Sequence, residues 1–201
     1  MSDRPTGEPV ARRVRADVQR NLDALLTAAA EVFASDGVDA PVRRITARAG
    51  VGAGTLYRHF PQRSDLITAV FRHEVDACAE AAPALAEEHE PVEALTLWFQ
   101  RFAQFVATKR GLKTALHSGD PAYESLPAYF QQRFLPVVTE LLDTAAASGG
   151  IRADIPPYDL LRAISDLVAP DDQGYTQRMI ALLVNGLRYG TPPAATDGEG
   201  A

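Results

Sequence analysis

The sequence predicts an all-α fold of about nine helices, with a three-helix head at the N-terminus and a helical core behind it. Three observations predict this. Apolar residues recur at spacings of three and four, no stretch alternates with the period of a strand, and glycine and proline fall between the periodic segments.

Residues 1–15 carry Pro5, Gly7 and Pro9 and then Arg12, Arg13 and Arg15, with little to bury. They read as a flexible basic arm that either lies along DNA or simply solubilises the chain. From Ala16 to Asp36, Val18, Leu22, Leu25, Leu26, Ala29, Val32 and Phe33 mark one face of an amphipathic helix, stopped by Gly37. The next 21 residues, VRRITARAGVGAGTLYRHFPQ (42–62), read as two short helices around a corner. Ile45, Ala49, Val51, Leu56 and Phe60 are spaced to seal them together, and Gly50 supplies the positive φ that the corner needs. The polar residues of the second helix, Thr55, Tyr57, Arg58 and His59, are mostly phosphate-binding types, as in a helix-turn-helix whose second helix enters a major groove.

After Pro61, Ser64 and Asp65 open a helix expected to run to Ala86, about 25 residues or roughly 37 Å. Pro91 to Lys109 is the most aromatic helix, and a short piece, Leu112 to His117, follows it. A long helix is expected over 122–147, bent at Pro136 by the loss of a backbone bond. Two more follow, over 157–168 and 175–189. The last is apolar around more of its girth than a single-faced helix requires, so it needs cover on two sides.

The segment AGVGAGTLYRHFPQRSDL (49–66) resembles the signature of the TetR family of bacterial regulators, which runs close to AGVSxGTLYxHFxxKxDL. The likeness extends upstream through RNLDALLTAAAEVFASDGVDA and downstream into LITAVF, about residues 16–72. Gly52 stands where the family has a capping serine, Pro41 where it has a threonine or serine, and Arg63 where it has a lysine. Glycine is a tolerated cap, and Pro41 is expected as the first helical residue of its helix.

The resemblance implies a domain order: a helix-turn-helix DNA-binding domain over 16–62, a helical ligand-binding and dimerisation domain over 63–190, and a disordered tail over 191–201. It implies a homodimer through helices 157–168 and 175–189 that binds a palindromic operator in double-stranded DNA. The expected DNA-contacting residues are Arg43, Arg44, Gly52, Ala53, Gly54, Thr55, Tyr57, Arg58, His59 and Arg63. Tyr57, His59 and Arg63 are assigned to phosphates. Thr55 is assigned to a base edge or phosphate, and Gly54 and Ala53 permit close approach to the groove. The core is expected to enclose a small-molecule effector whose binding moves the fourth helix and separates the reading heads. The candidates that line the site are Trp98, Phe99, Phe102, Phe105, His117, Tyr129, Phe130 and Phe134, with Tyr123 and Met179 beside them, and they fit a hydrophobic or aromatic compound. The alternative is a regulator answering to a protein partner, or to nothing.

Composition agrees with this reading. The net charge of −6 divides into +3 over residues 1–73 and −9 over 74–201, so positive charge gathers where phosphate would be met. There is no apolar run of membrane-spanning length and no apolar leader, and a cytoplasmic protein is expected. Cys78 excludes an internal disulfide and reads as a small core residue. An enzyme is not expected, since the chain has no glycine-rich phosphate loop, no GxSxG and no HExxH. His59, His73, His89 and His117 are scattered, so no metal and no cofactor is expected.

Overall fold

A computed structural model describes residues 8–109, 112–116, 118–152, 154–169 and 171–188, with side chains from residue 19 onward except at 109, 113 and 114. Among the described residues there are ten helices and no strand. They are α1 (Glu8–Asp36), α2 (Val42–Ala49), α3 (Ala53–His59), α4 (Arg63–Ala79), α5 (Ala81–Glu88), α6 (Pro91–Lys109), α7 (Lys113–Leu116), α8 (Leu126–Ala147), α9 (Pro157–Leu167) and α10 (Gln173–Arg188). The chain divides into two compact units, residues 1–74 with 108–127, and residues 75–107 with 128–201. The first unit is therefore larger than the 16–62 head read from the sequence.

α10 starts at Gln173 rather than the expected 175, and three boundaries differ by more. α1 begins at Glu8, so residues 8–15, expected as a flexible arm, are helical in backbone. Arginine and alanine are strong helix formers, and Pro9 lies in the first turn, where a missing N–H breaks nothing. The helix expected over 64–86 ends at Ala79 and restarts at Ala81, giving α5 and the tenth helix. Pro83 explains the break: it has no N–H for the carbonyl of Ala79, and its ring crowds that carbonyl. α8 starts at Leu126 rather than 122, because Pro121–Tyr123 forms a separate 3₁₀ turn capped by the Asp120 carboxylate, which accepts from the Ala122 amide at 2.9 Å. Pro136 lies inside α8 as expected. Residues 1–7, His117 and the tail over 191–201 lie outside the described residues.

In the first unit, Leu25, Ala29 and Phe33 of α1, Ile45 of α2, Leu56 of α3 and Leu66 and Val70 of α4 are buried. This core holds the two short helices, which would not persist alone at eight and seven residues. In the second unit the core is aromatic, built on Trp98, Phe99, Phe102 and Phe134. Cys78 is buried beside them as expected, and its carbonyl accepts the Trp98 indole N–H at 3.1 Å. No helix of the described residues is long and apolar enough to cross a membrane.

Candidate functional site

The corner between α2 and α3 sets the geometry of the reading head. Gly50 caps α2 at φ +68° in the left-handed region, and its amide and that of Val51 both return to the Thr46 carbonyl, the second at 3.0 Å. Pro41 is the N-cap of α2 rather than its first helical residue, and Gly52 is the N-cap of α3 as expected. Neither offers a side-chain cap; the Gly52 carbonyl accepts from the Thr55 amide at 3.0 Å.

Leu56 and Phe60, four residues apart, anchor α3 in the core, while Gly52, Ala53, Gly54, Tyr57, Arg58 and His59 are exposed. An apolar pair at this spacing fixes one helix face inward and the rest outward. Tyr57 is the telling case, with 55% of its surface open although it is a large ring. Thr55 is half-buried. Arg58 lies back along its own helix, its Nε donating to the Gly54 carbonyl at 3.1 Å.

On α2, Arg43 is exposed. Arg44 is exposed too but pairs with Asp36 of α1. Arg48 pairs with Glu31 in the same manner, so two cations of α2 also tie it to α1.

Arg63 departs from expectation. It is half-buried and turned into the head rather than out to a phosphate. Its Nε donates to the Val38 carbonyl, an outer nitrogen donates to the Ala40 carbonyl at 2.6 Å, and its guanidinium carbon sits 5.5 Å above the Phe33 ring. The loop between α1 and α2 turns at Gly37 and presents carbonyls with no helical partner; the guanidinium fork satisfies two of them. Arg63 is thus a clamp on that loop.

The expected ligand-lining residues form a packed column. Trp98 stacks on Phe102 at 5.7 Å, Phe102 meets Phe134 edge-on at 5.3 Å, and Phe130 meets Phe134 at 4.8 Å. Trp98, Phe99, Phe102 and Phe134 are fully buried, Phe105 nearly so, and Phe130 half-buried. Rings in mutual contact have their faces occupied, so these six pack as a core column. Tyr123 is buried in the first unit, where burial foremost, with Asp120 adding, pushes its phenol above the ordinary value. Met179 is half-buried. Tyr129 is engaged: its hydroxyl lies 2.7 Å from both carboxylate oxygens of Asp76.

Comparison with known proteins places this geometry. Residues 25–70 match the family model for bacterial regulatory proteins of the tetR family, and residues 90–189 match that for the C-terminal domain of SbtR-like transcriptional regulators. The TetR transcriptional regulator SCO0520 from Streptomyces coelicolor is 38% identical, with a TM-score of 0.74 over 84% of this chain and 99% of its own. The chain belongs to the TetR family. A TetR regulatory protein from Mycobacterium vanbaalenii is similar at 32% identity and a TM-score of 0.70, covering 88% of this chain and 99% of that one. An HTH-type transcriptional regulator of Staphylococcus aureus is 27% identical over 126 residues, 60% of this chain and 67% of its own length. As a TetR-family member, this chain is a DNA-binding transcriptional regulator.

Residues that the sequence reading passed over matter in the core of this TetR-family chain. Asp76 and Glu80 on one helical stretch face Tyr129 and Arg133 on α8. Arg133 Nε donates to Asp76 at 2.6 Å and an outer nitrogen reaches Glu80 at 3.3 Å. Burial is the largest single influence and pulls the guanidinium down, but the bond to Asp76 together with the charges of Asp76, Tyr129 and Glu80 outweighs it and holds Arg133 above its ordinary value. Both pairs are four apart in sequence, which is a legible signal of shared faces. Their meeting across helices is not legible.

Proposed function

We propose that this regulator acts as a homodimeric, ligand-responsive repressor in the cytoplasm. Each protomer inserts α3 into the major groove at one half of a palindromic operator, and a small hydrophobic or aromatic effector releases the protein. In this reading residues 16–62 act as the DNA-binding domain and 63–190 as the sensing and dimerising domain. The carrying observation is α3 itself: its apolar residues are spent on the head's core, while Tyr57, Arg58 and His59 stand in solvent together with Arg43 of α2. The outward side chains can form hydrogen bonds or ion pairs with phosphate, and glycines at 52 and 54 with Ala53 leave the start of α3 thin enough for close approach. Arg63 acts through the loop it holds.

Dimerisation draws support from α9 and α10. Ile180, Val184 and Leu187 are buried within the protomer, while Leu182 is 64% exposed and Tyr158 and Tyr175 are also open to solvent. Large apolar side chains on the outer side of two helices suit a twofold partner surface. Effector control requires a compound that binds the DNA-incompetent form more tightly, since equal affinity for both forms shifts nothing. The packed aromatic column favours the alternative, control by a protein partner or none. A cavity of about 330 Å³ elsewhere in the second unit favours a small molecule, being of ligand size.

Tyr57→Phe tests the phosphate assignment. It deletes one neutral hydroxyl and is expected to weaken operator and random DNA alike, by about three- to tenfold, while leaving the salt dependence of both unchanged because no charge is lost. A loss confined to one base position of the operator would make Tyr57 a sequence reader and refute the assignment.

A further inference from the structure

The second unit contains, besides its filled aromatic column, a space that its own residues leave open. The cavity of about 330 Å³ is walled by the end of α4, by α5, by the start of α6 and by one face of α8. It exists because one wall is made of small side chains. Ala79, Ala82, Pro83 and Ala86 recur at helical spacing and oppose Val137 and Leu141 of α8, and nothing between them reaches across.

Charge distinguishes this space from a simple packing fault. Glu80 borders it on one side and Glu140 on the other, and both are exposed. Among the described lining residues the guanidinium is that of Arg133, and it is already committed to Asp76 at 2.6 Å and Glu80 at 3.3 Å. Two carboxylates on the lining, Glu80 and Glu140, thus accompany one cation whose charge Asp76 already engages from outside the lining, leaving a net of one negative charge on the lining itself. The ring of His89, also on the lining, lies 3.6 Å from a fourth carboxylate, Glu93. An apolar floor under an acidic rim favours an apolar body with a positive head and opposes an anionic head of the same size.

We propose that this cavity is the effector site and that it takes a compact hydrophobic monocation. The apolar part lies against Pro83, Val137 and Leu141, and an ammonium or amidinium head sits between Glu80 and Glu140. As the identity of the effector, this rests on the ligand-responsive reading above; as a binding preference it can be tested without DNA.

The test uses the full chain and three probes with one body and different heads: 4-phenylbutylammonium, 4-phenylbutanol and 4-phenylbutyrate. Isothermal titration calorimetry is expected to rank them in that order, with the ammonium about tenfold or more tighter than the carboxylate. Glu140→Gln is expected to weaken the ammonium about three- to tenfold and to leave the alcohol within about twofold. Ala86→Trp, which adds its ring from an exposed rim position, is expected to remove binding of all three. Circular dichroism melts on both variants verify the fold. Equal or tighter binding of phenylbutyrate, no binding by any probe, or the same ranking in Ala86→Trp overturns the site. Anisotropy with an operator duplex separates the two ideas. Ammonium binding with no release of DNA keeps the site and refutes its role as effector site. Release by another compound, with no ammonium binding, refutes the site and keeps the ligand-responsive reading.

Discussion

Replacing Arg63 with alanine separates two roles that this position could have. The side chain gives hydrogen bonds to the carbonyls of Val38 and Ala40 and lies over Phe33, all within the head. A bond to a charged donor contributes about 1.5–3 kcal/mol, and the partial exposure of Arg63 places each at or below the low end. The ring contact adds about 0.5–1 kcal/mol. Against this gross figure of about 3–4 kcal/mol stands the side-chain entropy regained on deletion, up to about 2 kcal/mol, so a net loss of about 2 kcal/mol is expected. With a urea dependence of about 2 kcal/mol per molar, the midpoint of the head's unfolding transition falls by about 1 M. Arg63→Lys keeps one charge but loses the two-pronged fork and should recover about half of that.

DNA binding supplies the counter-measurement. Were Arg63 a phosphate contact, alanine would lower the salt slope of log affinity by about 0.9 and leave the urea midpoint in place. The clamp predicts the reverse: a lower midpoint, and an unchanged slope once binding is measured at a temperature where the variant is folded. A reduced slope with an unmoved midpoint would refute the clamp and restore the role that the family's lysine suggests.

Two more variants test the core. A Cβ on Gly150 would collide with Cγ2 of Val92 on α6, and Gly150→Ala is expected to destabilise the chain by about 1–3 kcal/mol, read as a lowered urea midpoint. Leu182→Arg places a charge on the exposed outer side of α10 and is expected to shift the protein from dimer to monomer in sedimentation velocity without lowering its helical content; a persistent dimer would move the interface elsewhere.

The head was legible in the sequence because its requirements are local. Gly50 alone permits the corner, and Leu56 with Phe60 chooses which side of α3 faces inward; both follow from spacing and conformational preference. The break between α4 and α5 was legible as well, in Pro83, but continuous amphipathicity past it masked the signal. What spacing could not supply was direction in space. Arg63 has the same composition and sequence context whether it reaches a phosphate or folds back on two carbonyls. Trp98, Phe102 and Phe134 read equally as a binding wall or as a packed column, because periodicity reports a shared face and not whether the facing volume is filled. The cavity was hidden for the opposite reason, since alanines at 79, 82 and 86 attract no notice until the volume opposite them is known.

The division of labour within α3 bears on how such a head can change its target. Seven residues cannot hold a helix by backbone bonding alone, because isolated helices below about 12–15 residues are marginal in water. The orientation of α3 is therefore set by burial of Leu56 and Phe60, by the corner at Gly50, and by Arg63 holding the loop that leads into α2. None of the exposed side chains at 57, 58 and 59 takes part in that support beyond the bond that Arg58 makes to its own helix and the tilted contact of the His59 ring with Phe60. Substitutions at those positions leave the buried set intact, so they are expected to alter the proposed DNA contacts at small cost in stability. Substitutions in the buried set tilt α3 and degrade every contact at once.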